Sequence, residues 1–237
     1  MAQGYGDLAE FVSENWGDSK LAEKYGVKRY PAVFVDDILI ASPNDFGGWA
    51  DAKGGKYVPW REKKNHDKFQ SDLSRMIDLL LKGDRASAIE GRTKTTEEDD
   101  IAKLPSLNTK DLDGQAVDGA MLAGKVVVVE FWATWCPPCR TTLSWLGDLK
   151  RKAPDRVVVV AVAVESEESQ VREFAKSLNA PVNFVMGSPE LIVPFGTLGS
   201  VPRMFVFDGE GKTAGIFYGA APDLHEKAGK LIDALTK

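Results

Sequence analysis

Cys136 and Cys139 are the only two cysteines in the 237 residues, and they enclose Pro137 and Pro138. Thiolates attack disulfide sulfurs, so a close pair can pass two electrons to or from another protein: one sulfur attacks and the second resolves the mixed disulfide. A disulfide scaffold would need several spaced pairs, and a structural zinc site four ligands. The two histidines, His66 and His225, lie far from the pair in helix-like segments and read as surface residues rather than ligands. No metal site is expected. A redox pair whose own disulfide is the redox group, with no further cofactor, is the economical reading.

The flanking residues say where such a pair sits. Lys125 to Thr134 is a Val- and Phe-rich strand, and Arg140 to Lys152 carries Leu143, Leu146 and Leu149 at near-helical spacing. A C-x-x-C that ends a strand and opens a helix is a far stronger signal than the four letters alone. It puts Cys136 at a helix N-terminus, where unpaired N–H groups and the macrodipole favour negative charge. Such sites lower a cysteine pKa from about 8.5 into the range of roughly 3.5–7.5. Cys136 is therefore the expected nucleophile and Cys139 the resolving thiol. Pro137 and Pro138 are tolerated in a first helical turn. Without N–H groups they also remove donors that would stabilise the thiolate, which argues against a strongly oxidising site.

The remaining elements form an α/β domain over residues 104–237. Leu107 to Val117 reads as a hairpin turning at Asp113-Gly114, and Arg156 to Val164 as a strand covered on both faces. Ser166 to Leu178 is an amphipathic helix, Arg203 to Tyr218 a hairpin around Asp208-Gly209-Glu210-Gly211, and Pro222 to Leu235 a closing helix. That order predicts a central mixed sheet flanked by helices. Residues 82–103 are polar and read as a linker. Within residues 1–81, Leu21 to Tyr25 is helical, Ala32 to Ile40 a hairpin and His66 to Leu81 a helix with one apolar face. No apolar run approaches the roughly 18 residues of a membrane span. The net charge of -5 shows no nucleic-acid footprint.

The segment Val128-Val129-Glu130-Phe131-Trp132-Ala133-Thr134-Trp135-Cys136-Pro137-Pro138-Cys139-Arg140 resembles the active-site segment of the TlpA/ResA-like thioredoxin-like family. The similarity extends to Asp111–Gln115, Gly124–Val127, Val201-Pro202 and Phe207–Gly211, and covers about residues 104–237. The resemblance implies a thioredoxin-like fold and exchange with disulfides of partner proteins. It makes Pro202 a cis-proline beside the disulfide, with the backbone of Val201 pairing with an extended client. Glu130 takes the position of a buried acid that accepts the Cys139 proton; a strand-edge glutamate in contact with water is the alternative. Trp135, beside the sulfur, joins Pro137 in the client-docking surface, and Trp132 belongs to the core. Thr142 and Ser144 stand where the family usually has Glu and Pro, so a straighter helix is expected. Arg203 replaces a common threonine after the cis-proline, where a guanidinium would stabilise the thiolate or select acidic partners.

An internal echo links Tyr25–Pro31 to Phe195–Pro202: each runs from an aromatic-Gly pair to a proline before an apolar strand. It suggests that residues 1–81 are a smaller thioredoxin-like unit without its own first strand, helix and C-x-x-C. An unrelated α+β extension is the alternative.

The expected function is thiol–disulfide exchange, foremost the reduction of protein disulfides, with protein clients and an upstream thiol reductant as partners. A disulfide oxidase or isomerase using the same site ranks second. A thioredoxin-fold peroxidase and a non-enzymatic copper carrier rank last, because Trp135 precedes a paired Cys136 and Leu191 to Pro202 contains no histidine. The resemblance points to an extracytoplasmic setting. The first residues show no signal peptide, which would make a complete chain cytoplasmic. Oligomeric state is left open.

Overall fold

The computed structural model describes residues 5–14, 19–27, 31–46, 55–91, 101–196, 198 and 200–237. The chain divides into two compact units, residues 1–97 and 98–237.

In the first unit, helix α1 (Lys20–Lys24) begins at Ser19, whose hydroxyl accepts from the Ala22 N–H. Strands β1 (Val33–Val35) and β2 (Ile38–Ala41) form an antiparallel hairpin that turns through Asp36 at φ 56°. Arg85 pairs with both turn carboxylates, Asp36 and Asp37. After α2 (Pro43–Phe46) come α3 (Lys63–Leu81) and α4 (Arg85–Glu90). Ile38 and Ile40 pack with Met76 of α3 and Ala88 of α4, flanked by Val33, Val35, Leu73, Leu79 and Leu80. Helix α4 falls inside the segment expected to be a linker. Its polar sequence conceals a cap, the Asp84 carboxylate accepting from the Ser87 N–H, and one fully buried alanine. Residues 92–100 of that segment lie outside the described residues, as do 28–30, 197 and 199 of the two echoing stretches.

The second unit opens with a small hairpin, β3 (Thr109–Lys110) and β4 (Ala116–Val117), then α5 (Gly119–Leu122). Next come β5 (Val126–Trp132), α6 (Pro137–Lys152), β6 (Val157–Ala163), α7 (Glu168–Leu178), β7 (Asn183–Met186) and α8 (Pro189–Ile192). A 3-10 turn, Val193–Phe195, precedes β8 (Arg203–Phe207), β9 (Thr213–Tyr218) and α9 (Leu224–Leu235). The sheet order is β7-β6-β5-β8-β9. β5, β6 and β7 are parallel, and β8 and β9 run antiparallel. The sheet is therefore mixed and the fold thioredoxin-like α/β. All residues of β5 and β6 are buried, as strands need to be when they lie in the middle of a covered sheet.

Two details differ from expectation. Helix α6 starts at Pro137 rather than Arg140. Proline's fixed φ suits the first turn, and its missing N–H would have had no partner there. Edge strand β7 went unread because Asn183–Met186 is too short to show a clear alternation.

Candidate active site

Strand β5 ends at Trp132, and four residues later Cys136 (φ -100°) caps α6. The Cys139 N–H donates to Cys136 Sγ at 3.3 Å. The two sulfurs are 2.10 Å apart, with Cα atoms separated by 5.4 Å. Cys136 is 5% exposed and Cys139 fully buried. A client sulfur can therefore approach only Cys136, and Cys139 is shielded until the chain exchanges internally.

The turn that presents Cys136 is fastened on two sides. The Thr134 N–H donates to Ser166 Oγ at 2.9 Å, and its hydroxyl donates to Gln170 Oε1 at 3.1 Å. Arg140, on the first turn of α6, reaches back with Nε and Nη2 to the Thr134 carbonyl and lies over the Phe174 ring. The Trp135 indole N–H donates to the Glu165 carbonyl at 3.1 Å, which holds a ring that is 55% exposed on the turn that leads to Cys136. Sequence reasoning missed Thr134, Ser166, Gln170 and Arg140 as site-builders. Only their closeness to the motif hinted at Thr134 and Arg140, and Ser166 and Gln170 lie more than thirty residues on from Thr134.

Glu130 sits in the middle of β5, opposite Ala161 on β6 and Met204 on β8. It is fully buried, and neither carboxyl oxygen has a hydrogen-bond partner. Burial pushes its carboxyl well above the usual carboxylate range. Contact with water at a strand edge is excluded. Strand alternation puts Glu130 on the face of Trp132, whose buried ring packs on Phe174 and Phe184, while Phe131 packs on Phe195 and Phe205 on the other face.

The Val201–Pro202 peptide is cis. Val201 is 8% exposed, Pro202 is buried, and the Pro202 carbonyl accepts from the Gly219 N–H. Arg203 stands opposite Phe131, hence on the face away from Glu130. It is 2% exposed, with its guanidinium over the rings of Phe205 and Tyr218. A side chain buried this far does not present a basic surface to acidic clients, and aromatic rings line its place in the core.

Helix α6 runs unbroken from Pro137 to Lys152, as the absence of proline at Ser144 leads one to expect. His225 corrects the surface reading. It is half-buried, its ring stacks on Trp145 at 4.7 Å between centroids, and Nε2 lies 3.2 Å from the Thr142 hydroxyl. Burial lowers its pKa. His66, in the first unit, packs on Trp60 at 4.4 Å. Among the described residues, no helix is long and apolar enough to cross a membrane.

With this geometry in place, comparison with known proteins is informative. The family model Redoxin matches residues 98–232. The thioredoxin-like protein YneN of Bacillus subtilis is 30% identical over 120 residues, which are 49% of this chain and 70% of that protein. The thiol-disulfide oxidoreductase ResA of Bacillus cereus is 29% identical over 146 residues, 59% of this chain and 83% of that one. Among solved structures, a thiol:disulfide interchange protein of the thioredoxin family from Chlorobium tepidum superposes with a TM-score of 0.51 at 26% identity. That match covers 57% of this chain and 97% of the other.

Proposed function

The chain belongs to the Redoxin family, among its TlpA/ResA-like thiol–disulfide oxidoreductases, and on that premise we propose that it reduces disulfides in partner proteins. The observation that carries the direction is the first turn of α6. Pro137 and Pro138 offer no N–H to Cys136 Sγ, and the donor that faces the sulfur is the Cys139 N–H. A thiolate held by few donors is only modestly stabilised, and the pair then favours the disulfide and gives up electrons.

In the proposed cycle the Cys136 thiolate attacks a client disulfide, and one client sulfur leaves as a thiolate. Cys139 gives its proton to the Glu130 carboxylate and attacks Cys136 Sγ, which releases the second client sulfur. Two electrons have passed to the client, and Cys136–Cys139 is left oxidised. An external dithiol restores it, so no bound cofactor is required. Trp135, Pro137, Val201 and Pro202 form the surface against which the client chain is laid, and Arg203, next in the chain, is held in the core over Phe205 and Tyr218.

The test is the equilibrium potential of the pair against glutathione. We expect a value near that of thioredoxin, about -270 mV. A value near the oxidising end, about -120 mV, overturns the reductase reading and favours an oxidase. Cys136→Ser should abolish insulin reduction; reduction at the parental rate would refute the cycle itself.

A further inference from the structure

The Thr142 hydroxyl lies on α6, one turn beyond Cys139, and is 1% exposed. It is within hydrogen-bond distance of two groups: the Pro138 carbonyl at 3.2 Å and His225 Nε2 at 3.2 Å. A hydroxyl has one hydrogen, and a carbonyl can only accept. With the hydroxyl hydrogen donated to the Pro138 carbonyl, the oxygen is left to accept from Nε2–H, and this is the His225 tautomer that the relay uses. The Pro138 carbonyl and the Cys139 N–H belong to one peptide group, and that N–H is the donor to Cys136 Sγ.

An unbroken line of polarised bonds results: His225 Nε2–H to Thr142 Oγ1, Thr142 O–H to the Pro138 carbonyl, and the Cys139 N–H to Cys136 Sγ. Hydrogen bonds in such a chain strengthen one another. A bond to the carbonyl draws electrons through the amide and makes its N–H the stronger donor. We propose that His225 is a positioning residue that tunes the Cys136 sulfur through Thr142 and the Pro138–Cys139 peptide. This rests on Cys136 being the exchanging sulfur, and it adds a residue from α9 that neither touches the client nor the disulfide.

The neighbouring charges are engaged elsewhere. On α9, Lys227 pairs with Asp223 and Lys230 with Glu226. On α6, Arg140 turns to Thr134, and Arg151 pairs with Asp148. The face of His225 lies flat on Trp145, with 8° between the planes. The stack fixes the ring and aims Nε2 at the hydroxyl.

Two substitutions separate the hydrogen bond from the packing. His225→Phe keeps a ring on Trp145 and loses the donor; His225→Gln keeps an N–H donor and loses the ring. Without the relay the reduced form loses stabilisation, so the dithiol becomes more reducing. With His225→Phe the equilibrium constant against glutathione should shift about fivefold, which is about 20 mV lower for a two-electron couple. The pH at which Cys136 reaches half its maximal alkylation rate should rise by about 0.7. His225→Gln should stay within about twofold of the parent, and Thr142→Val should follow His225→Phe. An unchanged potential in both His225→Phe and Thr142→Val overturns the relay. So does an equal fall with Phe and Gln, because Gln retains the N–H donor on which the relay depends. Cys136→Ser separates the two levels: if it still reduces insulin, the cycle fails; if it is inert while His225→Phe is unchanged, only the relay fails.

Discussion

An ionisable side chain buried in each unit meets a different environment: Tyr57 in the first is hydrogen-bonded, and Glu130 in the second is not. In the first, the phenol of Tyr57 is buried among Phe46 and Phe69, yet its hydroxyl donates to Asp72 at 3.1 Å, and Lys56 reaches the same carboxylate at 3.5 Å. Asn65 donates to the Pro59 carbonyl at 2.7 Å. Burial and the Asp72 charge push the Tyr57 phenol up, so it stays a neutral donor. In the second unit, Glu130 is sealed between β6 and β8 with neither oxygen bonded. A paired buried group supports the fold, whereas an unpaired carboxyl lowers stability and is ready to exchange a proton. His66 Nε2 is an exception in the first unit, although an unbonded imidazole nitrogen costs far less than an unbonded carboxylate. The contrast separates a unit built to hold shape from one that keeps an unfavourable group where sulfur chemistry can use it.

The contrast is most directly broken at the sulfurs. The first unit has no cysteine, so Cys139→Ser should end turnover entirely and leave a trapped mixed disulfide with the client, visible on non-reducing gels. Residual turnover would mean that exchange does not depend on this pair. Glu130→Gln comes next. Loss of a proton acceptor typically costs about a hundredfold or more, and it should fall on release of the mixed disulfide while the first attack by Cys136 keeps its rate. Stopped-flow fluorescence of Trp135 would separate the steps, and a slowed first attack would move Glu130 to another role.

The same substitution probes stability. Glu130 binds its proton more tightly when folded than the usual value of about 4.3, so the stability tied to that proton is fully present below about pH 4.3. It is lost as pH rises towards the folded-state value. Glutamine does not titrate, so thermal unfolding should favour Glu130→Gln increasingly above that pH, by about 1.4 kcal/mol for each pH unit. A difference that stays flat with pH would mean that Glu130 holds its proton no more tightly in the folded chain than in the unfolded one. The smallest effect belongs to the first unit. Tyr57→Phe leaves Asp72 short of a donor and should cost that unit about 1 kcal/mol, read by denaturant unfolding, with no change in the redox potential. A moved potential would erase the division between the units.

Much of the site was legible along the chain because its parts are local. Cys136 and Cys139 are one helical turn apart, β5 runs directly into them, and Glu130 lies in the same strand. The apolar runs of β5 and β6 announced central strands. Helix α4 was not legible, since a six-residue helix in a polar stretch has too little periodicity to stand out and is held by one cap and one buried alanine.

By itself the sequence determined the chemistry of the pair, its seat at a helix N-terminus and the α/β plan around it. These follow from short-range rules: residue type, spacing and the period of apolar side chains. Only the tertiary structure decided how the pair is held and tuned. Thr134 meets Ser166 and Gln170 across 32 and 36 positions, and Thr142 meets His225 across 83. It also decided that Arg203 turns into an aromatic core and Glu130 is left without a partner. Hydrogen-bond geometry and burial depend on which surfaces the fold brings within about 3 Å, and no local pattern in the chain carries that information.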